Sequence, residues 1–208
     1  MRIYAQFING ELVSRPGTGM IDVENPSSGE IMAQVPDGGA EDARAALEAA
    51  RAAQDGWAAL PAPARATALK KLAGGIRERR TELAAILAEE QAKTLSLAQV
   101  EVDFTAEYFD YYAGWARIYE GEIIQSDRPR ENILLYRQPI GVVAGICPWN
   151  FPLFVTARKV APALLAGCAV VIKPSSVAPV TVMEFAKIAA GLDLPKGVLC
   201  EIEAIAAK

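Results

Sequence analysis

Two short segments hold most of the side chains that could do chemistry. In Cys147-Pro148-Trp149-Asn150-Phe151-Pro152, a thiol and a carboxamide sit in a backbone restricted by two prolines, whose rings fix φ. An Asn150 amide held in this way can donate to an oxygen on which negative charge develops, as acyl or thiohemiacetal chemistry requires. It can equally cap the helix that the following residues predict. In Lys173-Pro174-Ser175-Ser176, a cation is followed by two hydroxyls. That set can bind ribose hydroxyls and, unlike a carboxylate, does not repel a 2′-phosphate. It also suits an ordinary strand-ending turn. No GxGxxG run follows the first strand, so a dinucleotide would be held without the usual glycine-rich fingerprint.

The absence of histidine narrows the choice further. With none in 208 residues, Ser/His/Asp triads, Cys/His dyads, His-ligated metals and imidazole acid/base chemistry are all excluded. Cys147, Cys168 and Cys200 are an odd number without CxxC spacing, which argues against a disulfide framework or a thiolate metal site and for a reducing compartment. Cys147 adjoins the Pro-Trp-Asn segment, but no neighbouring base would lower its pKa. Packing is its simpler role.

The elements that must position these residues follow from periodicity. Ile3 to Val35 alternates in short pieces broken by Asn9-Gly10, Pro16-Gly17, Asn25-Pro26 and Gly29, which predicts a small β arm. Ala40 to Tyr119 has helical period. Leu69, Leu72 and Ile76 share a face, as do Leu83, Ile86 and Leu87, and Gly56, Pro61 and Pro63 separate three or four helices. The last helix carries Phe104, Tyr108, Tyr111, Tyr112, Trp115 and Tyr119 as one aromatic stripe, which reads as a core face rather than a base-stacking platform. Gly121 to Tyr136 forms two extended segments around Ser126-Asp127-Arg128-Pro129.

From Gly141 onward the pattern is strand, helix (Leu153 to Leu165), strand (Ala169 to Ile172), helix (Val180 to Ala190), with a further strand from Val198. Strands apolar on both faces and separated by helices predict an α/β fold with a covered parallel sheet. Ligands in such sheets bind beyond the carboxyl ends of the strands, where both chemical segments lie.

Composition limits the partners. The net charge of −4 gives no reason to expect nucleic acid, and 52% hydrophobic residues suit a chain that buries a core. The longest apolar run, Val160 to Ile172, is too short for a bilayer and contains Pro162 and Gly167, and the amino terminus lacks a secretory pattern. A cytoplasmic protein with no membrane partner is expected.

Read together, GICPWNFPLFVTARKVAPALLAGCAVVIKPSSVAP resembles the aldehyde dehydrogenase superfamily. The resemblance extends back through FINGE, VENPSSGEIMAQVPDG and YEGEIIQSDRPRENILLYRQPIGVV, covers the chain up to Leu199, and looks most like lactaldehyde and glycolaldehyde dehydrogenases. It implies oxidation of a small aldehyde to a carboxylic acid with NAD or NADP: a Cys thiolate adds to the carbonyl, hydride leaves to the nicotinamide, and a Glu-activated water releases the acid.

By this resemblance Asn150 is the oxyanion donor, Ile146, Pro148 and Trp149 line the cofactor cleft, and Lys173, Pro174, Ser175 and Ser176 take the adenosine ribose. Arg158 matches an Arg associated with small polar substrates and Lys159 a Lys near the catalytic centre, although both can be surface charges. Ser176 stands where many NAD-using relatives carry Glu, so NADP is expected to be accepted.

The implied organisation is a β arm and helical layer (1–120), an oligomerisation arm (121–140) serving a homo-oligomer, and the first part of an NAD(P)-binding sheet (141–208). From about residue 200 the sequence departs from the family pattern. The catalytic Cys and the general-base Glu lie beyond that point in the family, so the chain is expected to be truncated and inactive alone. A non-catalytic oligomerisation or nucleotide-binding module is the alternative.

Overall fold

A computed structural model describes residues 1–203. Five short strands open the chain: β1 (Arg2–Ile3), β2 (Gln6–Ile8), β3 (Glu11–Val13), β4 (Gly19–Glu24) and β5 (Ile31–Asp37). Asn9 and Gly10 both take positive φ, 55° and 79°, and close the β2–β3 hairpin. These strands do not form one separate arm, as the sequence suggests. β1, β5 and β4 make a small sheet, whereas the β2–β3 hairpin extends the main sheet through β2.

The helical layer comprises α1 (Ala40–Ala59), α2 (Ala62–Glu78), α3 (Arg80–Gln91) and α4 (Leu95–Gly114), followed by a 3-10 turn, Trp115–Arg117. Pro61 precedes α2 and Pro63 lies in its first turn, where the missing N–H has no helical partner to lose. Gly56 is not a breaker. It lies inside α1, and Pro61 alone separates α1 from α2. Leu69, Leu72, Ile76, Leu83 and Leu87 are fully buried, as their spacing predicts.

The aromatic stripe of α4 is not the core face. Phe104, Tyr111 and Trp115 are exposed, while Ala98, Val102, Ala106, Phe109 and Ala113 are buried against α2 and α5. Both stripes have helical spacing. The small alanines win because they admit close helix packing that a row of rings would block.

β6 (Glu122–Gln125) and β7 (Asn132–Leu135) form an isolated hairpin, every strand residue of which is exposed. The remaining elements are β8 (Val143–Ile146), α5 (Pro152–Ala166), β9 (Val170–Lys173), α6 (Val180–Ala190) and β10 (Leu199–Glu201). β8, β9 and β10 are parallel, and the sheet order is β3-β2-β10-β9-β8.

The departure from the family pattern expected near residue 200 does not interrupt this sheet. β10 pairs with both β9 and β2, and Ile202 N–H donates to Ile172 C=O at 2.9 Å. Residues 204–208 of the divergent tail lie outside the described residues. No helix among those described is long and apolar enough to cross a membrane.

Candidate active-site cleft at the strand ends

The parallel register brings the two chemical segments side by side. Ile146 pairs with Lys173, so the segments that follow β8 and β9 leave the same end of the sheet. Gly145 permits α5 to approach closely, since a Cβ there would fall 2.5 Å from Ile172 Cδ1 and 3.1 Å from Lys159 Cδ. Beyond it, Ile146 (72% exposed), Pro148, Trp149 (60%) and Asn150 are open to solvent.

Cys147 behaves differently. It is buried, its thiol accepts a bond from the Thr156 hydroxyl at 3.5 Å, and burial pushes its pKa up. Burial likewise raises the pKa of Cys200, and Cys168 is also buried and free. The conditions that make a thiolate nucleophile are absent at these positions.

Asn150 does not cap α5. The N-cap is Phe151, without a side-chain bond, and the first amides go elsewhere: Leu153 and Phe154 N–H donate to Glu101 Oε1 at 3.1 and 3.3 Å. Glu101 lies on α4 with its side chain fully buried, and it pairs with Lys93 at 2.6 Å. The Asn150 amide has no hydrogen-bond partner among the described residues. It lines a cleft of about 310 Å³ with Trp149, Gln91, Lys93, Val177 and Ala178. Gln91 Nε2 donates to the Trp149 carbonyl, fixing the segment from α3, and Lys93 lies 4.8 Å from the centre of the Phe151 ring.

α6 repeats the arrangement. Val180 N–H, Thr181 N–H (3.1 Å) and the Thr181 hydroxyl (2.6 Å) all donate to the Glu90 carboxylate of α3. Burial pushes Glu90 up to about 7, even though these three bonds act against the shift. Both helix N-termini that could receive a phosphate are thus filled by the chain's own carboxylates.

The turn after β9 is built from the predicted ribose residues. Lys173 Nζ donates to the Pro174 carbonyl (2.8 Å) and to Ser176 Oγ (3.5 Å), and it pairs with Glu203 Oε1 (3.4 Å). Ser176 Oγ–H donates to the same Glu203 oxygen at 2.6 Å. Ser175 Oγ accepts from Val177 N–H at 3.4 Å, and Ser175 also forms a bridge with Ala178. Val177, 71% exposed, and Ala178 carry this turn into the Asn150 cleft.

Arg158 lies apart from that cleft. It is exposed on α5, and its charge acts on Tyr112 of α4. One turn earlier on α5, Phe154 packs against Tyr108 and Phe104, at ring distances of 5.5 and 6.5 Å. Lys159 packs over the sheet beside Gly145.

The sequence reading missed Glu90, Lys93, Glu101 and Glu203. Two of them carry a signal: Glu90 continues the Leu83–Leu87 face and Glu101 continues the Ala98–Val102 face, so each is a carboxylate on an apolar stripe.

The aldehyde dehydrogenase family model matches residues 13–206. The chain belongs to the aldehyde dehydrogenase family. The family match therefore runs past Leu199, where the recognisable motifs end. The lactaldehyde dehydrogenase of Escherichia coli is 54% identical over 195 residues, covering 94% of this chain and 41% of that protein. Its crystal structure superposes with a TM-score of 0.94 at 52% identity, over 98% of this chain and 43% of that one. A structure of 3,6-anhydro-L-galactose dehydrogenase in complex with NAP gives 0.91 at 37% identity, over 98% and 43%. Betaine aldehyde dehydrogenase from Staphylococcus aureus, in complex with NAD+, gives 0.90 at 34% identity, over 96% and 41%. The chain spans about two-fifths of the length of these relatives.

Proposed function

We propose that these residues form the cofactor-side portion of an NAD(P)-dependent aldehyde dehydrogenase acting on a small aldehyde. The observation that carries this reading is the unpartnered Asn150 amide at the end of β8, in one cleft with the turn after β9. In the proposed reaction Asn150, carried on a segment that Gln91 holds through the Trp149 carbonyl, donates to the substrate oxygen as charge develops on it. Lys173, Ser175 and Ser176 hold the adenosine ribose, Pro174 sets their turn, and Ile146, Pro148 and Trp149 give the adenosine an apolar wall.

Hydroxyls are the chemistry that meets a ribose diol, and Ser175 and Ser176, both partly exposed, carry them here. A pyrophosphate fits neither helix N-terminus, because Glu101 and Glu90 already fill them. The bound nicotinamide supplies a hydride acceptor. Arg158 is assigned to a polar group of the substrate on the α4 side, where Phe154 and Tyr108 form an apolar neighbourhood.

The three cysteines are buried, and no described group activates one of them. The 208 residues are therefore expected to bind cofactor without oxidising aldehyde. Calorimetric titration with NAD and NADP should saturate with Kd below about 1 mM, while added glycolaldehyde should produce no reduced nicotinamide. Absence of saturable binding by either nucleotide would overturn the reading.

A second reading, an oligomerisation module, draws on the β6–β7 hairpin. It projects exposed Ile123, Ile124, Ile133, Leu134 and Leu135, an apolar ribbon suited to a second copy of the chain in the cytoplasm. Light scattering on the same sample tests it, a discrete dimer or tetramer being expected and a monomer contradicting it.

A further inference from the structure

The ribose turn contains a group that the sequence pattern does not assign to it. Glu203 follows β10, its side chain is fully buried, and its backbone is fixed to β2: Gln6 Nε2 donates to its carbonyl at 2.8 Å, and its own N–H donates to Gln6 Oε1 at 2.7 Å. From that anchored position one carboxylate oxygen accepts a hydrogen bond from the Ser176 hydroxyl at 2.6 Å and lies 3.4 Å from Lys173 Nζ.

Two consequences follow for a ligand at this turn. The Lys173 charge, the attraction a 2′-phosphate would otherwise find, is already paired with a carboxylate. The Ser176 hydroxyl is likewise engaged, and its 2.6 Å bond to the Glu203 carboxylate sets a negative charge behind the turn that disfavours a further phosphate. Without Glu203 the same Lys-Ser-Ser set would favour the 2′-phosphate.

We propose that Glu203 is a positioning residue that sets cofactor choice, orienting Ser176 and neutralising Lys173 so that an unphosphorylated 2′-hydroxyl is preferred. This rests on the reading of Lys173–Ser176 as the ribose site, and it reverses the NADP tolerance expected from Ser176 alone.

The test uses adenosine 5′-monophosphate and adenosine 2′,5′-bisphosphate, which differ only in the 2′-phosphate, titrated into the wild-type chain and Glu203→Gln. The wild type should bind the monophosphate at least about tenfold more tightly, a difference of roughly 1.4 kcal/mol. Glu203→Gln, which keeps the shape and removes the charge, should reverse or abolish that preference. A wild-type chain that binds the bisphosphate as tightly as the monophosphate overturns the proposal while leaving the ribose site in place, and this comparison needs no variant. An unchanged preference in a folded Glu203→Gln chain overturns it as well. Failure of both probes to saturate overturns the ribose assignment and the proposal with it.

Discussion

The N-termini of α5 and α6 are closed by the same device and differ in one partner. Each helix flanks the parallel sheet, and each directs its first free amides at a buried glutamate from the helical layer: Glu101 for α5 and Glu90 for α6. Glu101 has Lys93 at 2.6 Å. Glu90 has only neutral donors, and burial raises its pKa to about 7. A helix N-terminus and hydroxyl are thus not enough to keep a fully buried carboxylate at its ordinary pKa, because its desolvation exceeds what those dipoles return.

The largest effect is expected at the paired cap. Glu101→Ala leaves two amides and a partly buried ammonium without their acceptor, and chemical denaturation should show a loss of about 3 kcal/mol. A loss comparable to that of a surface substitution would show that Lys93 and the amides find other partners.

The unpaired cap should show itself through pH. The folded protein holds a proton on Glu90 up to about pH 7, whereas the unfolded chain releases it near its ordinary value of about 4.5. Between those limits the folded state binds more protons, so the contribution of Glu90 to stability falls as pH rises and is lowest above about pH 7. Measured as the difference between wild type and Glu90→Gln, this fall should be on the order of 3 kcal/mol. A difference that grows with rising pH would mean that Glu90 is ionised in the folded protein. Burial, with a smaller push from Glu203, also raises Glu201. The residual slope in Glu90→Gln should have the same sign.

Thr181→Val sharpens the comparison further. It removes the 2.6 Å hydroxyl bond to Glu90 but keeps the amide bonds, and it should cost about 1 to 2 kcal/mol in thermal or chemical unfolding. The smallest effect is expected at Asn150. Its amide holds no partner among the described residues, so Asn150→Ala should change stability by no more than about 0.5 kcal/mol. A larger loss would show that Asn150 is part of the fold.

Much of the fold was legible because its signals are local. Asn9-Gly10 marks a hairpin through its backbone preference, Pro61 starts α2 through its fixed φ, and the apolar runs Gly141 to Ile146 and Ala169 to Ile172 hold β8 and β9, although only β9 is largely buried and β8, at the sheet edge, exposes Ala144 and Ile146. The aromatic stripe of α4 misled because hydrophobic period identifies a helix but does not choose between two apolar faces. The candidate site was legible as two motifs at strand ends. The removal of Asn150 from capping duty was not, since it depends on a carboxylate 52 residues away in sequence from Leu153.

By itself, the sequence determined the order of strands and helices, the family, and the placement of Asn150 beyond β8 and Lys173 at the end of β9. These depend on neighbouring residues and on spacing within a single element. Tertiary structure decided that the β2–β3 hairpin joins the main sheet, that Glu101 and Glu90 rather than Asn150 close the helices, and that Glu203 reaches Lys173 and Ser176. Each of these is a pairing between distant segments. A buried polar group takes whichever partner packing brings within reach, and no local pattern names that partner in advance.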